Sequence, residues 1–354
     1  MKILLAAGGT GGHVFPALAL GAVAQKHGHE VRLLGSRQGP ERGWCDDASV
    51  AFKGVASGKW NRARPNPLAL LPAAWGVVEA TGWIRAWRPD VTVAFGGFAS
   101  LPGGLGSVLA GVPLVLHEGN SVPGMVTRRL ATRAQIVAGV FAETEGRLPH
   151  GVSYEPVGLP IRETRSERVK ARAALGLPRD AVVTLVMGGS QGAASLNTAV
   201  PEAYRQLPAS LRPTVLHAAG RGREAEVRAP DGQYHVTGFV DGPLAWSAAD
   251  LAITRAGVGT VSEAAFHGVP LIMMPLPGAA DDHQRHNAHA VADDGAGRVV
   301  EERDVEGVVS AWTALLDGNV RSEAAQQMAR RSPAGSAQRL LDVAARAAAQ
   351  GQQR

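Results

Sequence analysis

The sequence predicts an α/β protein made of two doubly wound, Rossmann-like domains whose strand ends face each other across a cleft. Three observations carry this prediction. The chain has 354 residues, which corresponds to about two domains of ordinary size. Short apolar runs end in glycines and precede helical patterns, which is typical of parallel strands covered by helices on both faces. The same pattern begins again after residue 160.

The first predicted domain spans residues 1–160. Its predicted strands are 2–7, 91–95 and 112–116, with one helix over 15–26, which has Pro16 in its first turn, and another that ends at residue 111. Residues 91–116 carry no charge, a length that raises the question of a membrane span. Glycines and prolines interrupt that stretch, so strand, loop, helix and strand are favoured.

The second predicted domain spans residues 161–336, after a punctuated and charged stretch near residue 160. Its predicted strands are 182–187, 251–254 and 271–275, with one helix that ends at residue 203 and another over 260–268. Residues 337–354 form a C-terminal helix and a polar end, which can pack back on the first domain. Ligands of such domains bind at the carboxyl ends of the strands.

The composition excludes several kinds of site. Cys45 is the one cysteine, so a disulfide, a Cys-based zinc site and an iron–sulfur cluster cannot form within the chain. The formal net charge is +5, and only five of the 36 basic residues are lysines. Arginine suits phosphate recognition, although a GC-rich genome produces the same excess. Because no signal-peptide core follows Lys2, we expect a soluble, reduced, cytoplasmic protein.

Glycine-rich turns at strand ends are the strongest local feature. The turns 8–13 and 188–192 allow backbone amides to approach an anion, and each following helix adds the positive end of its dipole. A single turn of this kind needs no ligand to explain it, but repetition at several strand ends favours ligand binding. The dinucleotide fingerprint fails at Val14, and no Walker loop occurs. A nucleotide sugar is left as the candidate ligand. Since the chain has no D-x-D element, amides, helix ends and arginine would meet the diphosphate charge without a metal.

Two clusters in the second domain fit a nucleotide sugar. The segment 255–263 leads from a strand into a helix, where its amides can bind diphosphate and Glu263 can accept hydrogen bonds from a ribose diol. A first-turn glutamate that stabilises its own helix is the alternative. The polar run 281–287 is either a solvated helix start or an edge that contacts the sugar. Its histidines form no complete tetrahedral set, so no metal site is predicted.

The first domain carries two further candidates. His13 follows the first strand, where a group that titrates near neutral pH can act as a general base; a purely structural histidine is the alternative. Residues 58–88 hold four tryptophans among arginines, which suits an anionic membrane surface. Trp83 and Trp87, at i and i+4, equally fit one buried helix face. No RNA-binding signature accompanies this mixture, so nucleic acid is not an expected partner.

Six motifs occur in order along nearly the whole chain. They are Gly8-Gly-Thr-Gly-Gly-His-Val-Phe-Pro-Ala17, Phe95-Gly-Gly-Phe-Ala-Ser100, His117-Glu-Gly-Asn120, Gly188-Gly-Ser-Gln-Gly-Ala193 with Leu196-Asn197, Thr260-Val-Ser-Glu263 and Asp282-His-Gln-x-x-Asn287. Together they resemble the MurG family of peptidoglycan N-acetylglucosaminyltransferases, which belongs to glycosyltransferase family 28 and has the two-domain GT-B fold.

The resemblance implies a reaction and its partners. The family transfers GlcNAc from UDP-GlcNAc to the C4 hydroxyl of MurNAc on lipid I (undecaprenyl-diphospho-MurNAc-pentapeptide). The product is lipid II, with inversion at the anomeric carbon. No tightly bound metal or other cofactor is implied. The implied location is peripheral, on the cytoplasmic face of the cell membrane, with an anionic lipid surface and other cell-wall synthesis proteins as partners.

The resemblance also implies roles for individual residues. Glu263 would bind the ribose and Gln284 the sugar, while His13 would be the general base or would position the acceptor. The other implied donor contacts are Arg162, Ser190, the backbone around Val240, Val258, Gly259, Thr260, Val261 and Ser262. Thr10, Gly11, Gly12 and Asn120 would close on the sugar and the acceptor diphosphate, with Asn120 in the catalytic group beside His13. The residues expected to face the membrane are Trp60, Arg62, Arg64, Trp75, Trp83 and Trp87.

Two departures from the family pattern lie at positions expected to border the cleft. Family members commonly have glutamine where this chain has Gly119 and asparagine where it has Leu159. Sugar or acceptor recognition can differ as a result, whereas the donor motifs are intact. The open alternatives are a GT-B transferase with a soluble acceptor, a UDP-sugar 2-epimerase and a non-catalytic UDP-sugar-binding scaffold of cell-wall synthesis. The failed fingerprint disfavours a dehydrogenase.

Overall fold

Two parallel sheets, each covered by helices, organise the chain in the way its alternating apolar runs predict. The computed structural model describes residues 1–58, 70–189 and 192–351. The chain divides into two units: unit 1 comprises Met1–Arg162 with Gly335–Arg354, and unit 2 comprises Glu163–Ala334. The predictions for Trp60, Arg62, Arg64 and Ser190 concern residues outside the described ranges.

The sheet of unit 1 has seven parallel strands. They are β1 (Lys2–Ala6), β2 (Glu30–Ser36), β3 (Ala51–Val55), β4 (Val91–Ala94), β5 (Leu114–Glu118), β6 (Ile136–Gly139) and β7 (Tyr154–Pro156). Their order is β3-β2-β1-β4-β5-β6-β7, with Ile3 of β1 opposite Val31 on one side and Val91 on the other. The strand order reverses between β1 and β4, and the loops that follow these two strands therefore open a crevice.

Among the described residues of unit 1, five α-helices precede β7. They are α1 (Gly11–Lys26), α2 (Glu41–Asp47), α3 (Leu70–Trp87), α4 (Leu101–Ala110) and α5 (Met125–Leu130). Helix α1 begins four residues earlier than the sequence predicts, so Pro16 lies in its second turn. Thr10 is extended, with φ of −144°, and Gly11 and Gly12 then enter the first turn despite their poor helix propensity, because tertiary packing overrides propensity.

The sheet of unit 2 has six parallel strands in the order β10-β9-β8-β11-β12-β13. They are β8 (Val183–Met187), β9 (Thr214–Ala218), β10 (Tyr234–Thr237), β11 (Leu251–Thr254), β12 (Leu271–Met273) and β13 (Gly297–Val299). The helices are α6 (Arg168–Ala174), α7 (Ala194–Gln206), α8 (Gly242–Ala248), α9 (Val258–His267), α10 (His283–Asp293), α11 (Val305–Leu316) and α12 (Gly318–Arg330). Here the strand order reverses between β8 and β11.

The last helix, α13 (Ser336–Gly351), belongs to unit 1. Its apolar stripe includes Leu340 and Ala344, which are buried in the same core cluster as Ile3 and Leu5 of β1. The hydroxyl of Ser336 donates a hydrogen bond to the Leu159 carbonyl at 2.8 Å. The helical spacing of the stripe explains why this segment needs an apolar partner.

The uncharged stretch 91–116 forms β4, α4 and the first residues of β5, which confirms the predicted order of strand, helix and strand. Within the described ranges, no helix has both the length and the apolar character that crossing a bilayer requires.

Candidate active site

A cleft of about 860 Å³ lies in unit 2 where the strand order reverses. That volume is typical of small-molecule sites. The turn after β8 contributes Gly188, Gly189 and Gly192, and the segment after β11 contributes Arg255, Gly257 and Thr260. Gln284 of α10 completes the part of the lining that matches the predicted donor residues. The structure therefore brings together residues from three motifs that are up to about a hundred positions apart.

The glycine turn after β8 has a conformation that side chains rarely adopt. Gly192 has φ of +69°, and a Cβ atom there would overlap the carbonyl of Ala219. Gly189 has φ of +90°. Only glycine fits these positions, so Gly189 and Gly192 border the cleft with their backbone alone.

Arg255 is one of the charged residues that line this cleft, and the sequence predicts a role only for its backbone amide. It is 9 % exposed and donates to the carbonyl of Met274 at 2.9 Å, to Ser195 Oγ at 2.6 Å and to Glu302 Oε1 at 2.6 Å. The hydrogen bond from Arg255 holds the pKa of Glu302 below its usual range. An arginine directly after a buried strand was the signal that could have identified it.

Helix α9 begins at Val258, so the segment expected as a loop is the first part of a helix. Gly257 precedes it without a side-chain cap, and the amide of Val261 already donates to the Gly257 carbonyl at 3.1 Å. The amides of Val258, Gly259 and Thr260 belong to the helix end, where N–H groups have no intrahelical partner. Val258, Val261 and Ser262 have buried side chains (8 %, 3 % and 4 % exposed). Contacts that they make with a ligand would therefore involve the backbone.

Glu263 follows Thr260 by one helical turn. Its Oε2 accepts a hydrogen bond from Trp246 Nε1 at 2.9 Å. Burial raises the pKa of the Glu263 carboxyl, and the hydrogen bond from Trp246 partly opposes this. Among the described residues, those that line the cleft do not include Glu263. It lies instead beside Trp246. Val240 packs against the core cluster that contains Trp246.

The other predicted donor residues differ in their surroundings. Gln284 is half-buried, and its Oε1 accepts a hydrogen bond from the Leu276 amide at 3.0 Å. Its Nε2 amino group is the part of the side chain that can donate to a ligand. Val240 is half-buried, whereas Arg162 is exposed and is the last residue of the first segment of unit 1.

The polar run 281–287 contains both internal and cleft-lining residues. Asp281 and Asp282 have φ of +54° and +50°, an uncommon and strained pair that is typical of functional sites. The Asn287 amide is buried and donates to the carbonyl of Ala256 at 3.3 Å. In the part of the chain that the structure describes, no group of three or more potential metal ligands occurs.

The turn after β1 lies where the strand order of unit 1 reverses. Thr10 and Gly12 are exposed and His13 is half-buried. The amides of His13 and Val14 donate to the Thr10 carbonyl at 3.1 and 3.2 Å. The amide of Gly9 donates to Glu41 Oε1 at 2.7 Å, and it is therefore not available to an anion. The amides of Gly11 and Gly12 belong to the first turn of α1, where N–H groups have no intrahelical partner and can bind an anion.

His13 packs against the loop that follows β4. A Cβ atom on Gly97, which has φ of +74°, would lie 2.8 Å from His13 Cδ2 and 2.5 Å from the Gly8 carbonyl oxygen. Glycine is therefore required at Gly97 if the turns after β1 and β4 are to approach this closely. His13 thus lies at the switch point of unit 1, as its position after the first strand predicts.

The end of β5 supports Asn120 through a buried carboxylate. Glu118 is 5 % exposed and accepts hydrogen bonds from Thr127 Oγ1 at 2.6 Å, the Gly124 amide at 2.9 Å and the Asn120 amide at 3.1 Å. His117 is buried, and burial lowers its pKa to about 4. Its Nε2 lies 2.9 Å from the Gly158 carbonyl, which can only accept, so the proton of the neutral ring is on Nε2.

The two departures from the family pattern have different environments. Gly119 is half-buried at the end of β5. Leu159 is 2 % exposed, and its carbonyl accepts the hydrogen bond from Ser336. The Leu159 side chain therefore belongs to the interior of unit 1, and an effect of this departure on sugar or acceptor recognition stays a prediction.

The tryptophans of α3 divide into an exposed and a buried group. Trp75 is 60 % exposed and Trp87 is 8 % exposed. The Trp87 indole donates to Glu30 Oε1 at 3.0 Å, and its ring stacks on Trp83 with centroids 5.3 Å apart. The prediction that Trp87 faces a membrane is wrong, and Trp83, half-buried beside it, belongs to the same packed face. The alternative of one buried helix face applies to this pair.

Two models of one protein family match most of the chain. The glycosyltransferase family 28 N-terminal domain matches residues 3–138 and the C-terminal domain matches residues 183–345. The chain is 39% identical to the UDP-N-acetylglucosamine--N-acetylmuramyl-(pentapeptide) pyrophosphoryl-undecaprenol N-acetylglucosamine transferase of Deinococcus radiodurans, over 98% of this chain and 96% of that protein. It is 38% identical to the protein of the same name from Thermus thermophilus, over 96% and 98% of the two chains.

Solved structures agree with these matches. The crystal structure of Acinetobacter baumannii MurG has a TM-score of 0.79 and 28% sequence identity, with 98% of this chain and 99% of that chain covered. The glycosyltransferase of kitacinnamycin, at 17% identity and a TM-score of 0.71, shares the fold. The two doubly wound domains are those of the GT-B fold, and the chain belongs to the MurG family of N-acetylglucosaminyltransferases in glycosyltransferase family 28.

Proposed function

We propose that the protein transfers GlcNAc from UDP-GlcNAc to the C4 hydroxyl of MurNAc in undecaprenyl-diphospho-MurNAc-pentapeptide, and so converts lipid I to lipid II in peptidoglycan synthesis. The observation that carries the proposal is the cleft of unit 2, which joins the turn after β8, the start of α9 and Gln284. The relatives named for this reaction match nearly the whole chain.

The donor diphosphate is expected at the start of α9. The amides of Val258, Gly259 and Thr260 and the positive helix end stabilise an anion there. In our proposal, Ser190 and Arg162 add contacts, and no bound metal is needed. The cation of Arg255, whose partners include the carboxylate of Glu302, adds a buried positive group beside this helix end.

We assign the nucleoside and the GlcNAc of the donor to opposite sides of the start of α9. Glu263, one helical turn beyond Thr260 and outside the described residues that line the cleft, accepts hydrogen bonds from the ribose hydroxyls in this proposal, and the backbone around Val240 contacts the base. Gln284 donates from Nε2 to the GlcNAc hydroxyls, because its Oε1 is held by the Leu276 amide. The side chains of Val261 and Ser262 support the helix from the interior.

The acceptor is assigned to unit 1. Gly11 and Gly12 present amides at the start of α1 to the acceptor diphosphate, and Thr10 and Asn120 add polar contacts. The C4 oxygen attacks the anomeric carbon from the face opposite UDP, and the bond from that carbon to the β-phosphate oxygen breaks. His13 takes the proton of the C4 hydroxyl as general base, and UDP leaves with the electron pair.

A membrane contact is assigned to the outer face of α3. Leu71, Trp75 and Val78 are 64 %, 60 % and 60 % exposed at positions i, i+4 and i+7, which lie on one face of a helix. We name Leu71, Trp75 and Val78 the α3 stripe. An exposed apolar stripe with an aromatic residue binds the interface of a bilayer, so the protein is expected on the cytoplasmic face of the cell membrane, where an undecaprenyl acceptor lies.

The test is release of UDP from UDP-GlcNAc with a short-chain lipid I analogue. Controls omit the acceptor or replace the donor with UDP-glucose. Acceptor-dependent release with UDP-GlcNAc and not with UDP-glucose supports the proposal. Tight binding of UDP-GlcNAc without release contradicts it and favours a transferase with a soluble acceptor or a non-catalytic scaffold. Absence of UDP-GlcNAc binding contradicts the donor assignment as well.

A further inference from the structure

We propose that Glu41 is a positioning residue that holds the glycine turn after β1, and through it His13, in the geometry that transfer requires. The inference rests on the proposed function, because that function gives this turn its role in acceptor binding. Glu41 is the first residue of α2, and it is 0 % exposed. A buried carboxyl group is costly unless its oxygens have partners.

One carboxyl oxygen of Glu41 accepts a hydrogen bond from the turn after β1. The Gly9 amide donates to Oε1 at 2.7 Å, a length typical of a hydrogen bond to a charged acceptor. Gly9 has φ of +89°, and without Glu41 this amide would lose that partner. The other oxygen, Oε2, is buried and has no hydrogen-bond partner in the described part of the chain. A site that tolerates such an unsatisfied atom calls for a specific explanation.

The surrounding backbone is shaped around this carboxyl group. A Cβ atom on Gly8 would overlap Oε1, and one on Gly39 would overlap Oε2. A Cβ atom on Gly35 would lie 3.4 Å from Glu41 Cγ. Three glycines from three loops or strands therefore leave the space that Glu41 fills. Packing at this density leaves little freedom for the carboxyl group or for the turn.

The hydrogen bond between Glu41 and Gly9 affects the position of His13 in two ways, through the backbone of the turn and through the packing at Gly97. The Thr10 carbonyl, next to Gly9, accepts the hydrogen bond from the His13 amide at 3.1 Å. Gly8 and His13 both lie close to Gly97. A Cβ atom on Gly97 would lie 2.5 Å from the Gly8 carbonyl oxygen and 2.8 Å from His13 Cδ2. Displacement of Gly8 and Gly9 would therefore move the start of α1 and the imidazole together.

The experiment compares Glu41→Ala with Glu41→Gln. The alanine variant removes the acceptor of the Gly9 amide, whereas the glutamine variant keeps an oxygen for it. Ser107→Ala is the matched control, because Ser107 is also 0 % exposed and its hydroxyl donates to the Gly103 carbonyl at 2.7 Å, remote from the turn in sequence. The measurements are kcat, KM for the lipid I analogue, the Kd for UDP and hydrogen exchange of the peptide that covers residues 7–14.

We expect Glu41→Ala to lower kcat about tenfold to a hundredfold, the effect of a small misplacement of reacting groups, with the Kd for UDP unchanged. Exchange in residues 7–14 should increase. Glu41→Gln should retain most of the activity and the protection, and Ser107→Ala should lower Tm without either effect. If Glu41→Ala does not fold, Glu41→Asp replaces it, because its shorter side chain withdraws the carboxylate from Gly9.

Three results would overturn the inference: equal kcat in the Glu41→Ala and Ser107→Ala variants, equal losses in the alanine and glutamine variants, or unchanged exchange in residues 7–14. Failure of the proposed function is a separate result, since it appears as a wild-type protein without acceptor-dependent UDP release. In that case the exchange measurement alone decides whether Glu41 holds the turn.

Discussion

Replacement of Glu263 by alanine is expected to raise the Kd for UDP about tenfold to a hundredfold. The Glu263 carboxyl is fixed on α9 by the hydrogen bond from Trp246 at 2.9 Å, so a ribose diol would meet a preorganised acceptor. A hydrogen bond to a charged group contributes about 1.5–3 kcal/mol, and about 1.4 kcal/mol corresponds to a tenfold change in Kd. Loss of one such bond accounts for the expected range.

Calorimetric titration with UDP and 2′-deoxy-UDP isolates the ribose contribution. The wild-type protein should prefer UDP, and in the Glu263→Ala variant this preference should largely disappear. Asp317→Ala is the control, because Asp317 Oδ1 caps α12 by accepting from the Asn319 amide at 2.9 Å. Loss of a cap costs about 1 kcal/mol of stability and should leave the preference intact. An unchanged ratio of the two affinities in Glu263→Ala would refute the ribose assignment.

The same residue has a pH signature. Burial raises the pKa of Glu263, so UDP affinity should fall as the pH drops through that raised pKa and the acceptor is protonated. For stability, the folded protein holds this proton more tightly than the unfolded chain. The free energy of unfolding should therefore fall as the pH rises from the ordinary glutamate pKa through the raised one. Glu263→Gln should remove both dependences, measured by titration and by urea unfolding.

Other residues test the membrane contact, the buried arginine and acid stability. Trp75→Ser should reduce cosedimentation with anionic vesicles severalfold, whereas Trp87→Phe should lower Tm and spare vesicle binding; equal binding losses would contradict the α3 stripe. Arg255→Met should lower the free energy of unfolding by about 1.5–3 kcal/mol, the contribution of a hydrogen bond to a charged group, because the Glu302 side chain is 24 % exposed and water can solvate its carboxylate; a loss below about 1 kcal/mol in urea unfolding would contradict this. The pKa of His117 falls from 6.5 to about 4, so stability present above pH 6.5 should be lost as the pH falls towards 4. The loss is about 3 kcal/mol at 1.36 kcal/mol per unit, and it should be absent in His117→Gln but present in the exposed-site control His150→Gln.

Much of the fold could be predicted because its signals are local. An apolar run that ends in glycine and precedes a helical pattern specifies a strand, a turn and a helix within about thirty residues. Such units are sufficient to predict parallel sheets. The sequence predicts starts for α1 and α9 that lie too far along the chain. Gly11, Gly12 and Gly259 suggest turns, but in the folded protein they lie in the first turn of a helix.

The sequence predicts some residues of the candidate site and misses others, because only part of the site is specified by local signals. Turns at strand ends could be placed near a ligand from the sequence, and Thr260 and Gln284 do line one cleft. Which side chains are interior could not be predicted. Trp87 is buried against Glu30, 57 positions away, and Leu159 is held by Ser336, 177 positions away. No local pattern encodes such contacts.

The sequence by itself determined the alternation of elements, the glycine turns, the lack of a cysteine-based site and the family motifs. Only the tertiary structure decided that Arg255 is buried and hydrogen-bonded to Met274, Ser195 and Glu302. It also decided that Trp75 is exposed while Trp87 is not, and that Glu41 accepts the hydrogen bond from the Gly9 amide. The physical reason is that burial and hydrogen-bond satisfaction depend on the strand order and on the helices packed across it, which bring together residues that are distant in the chain.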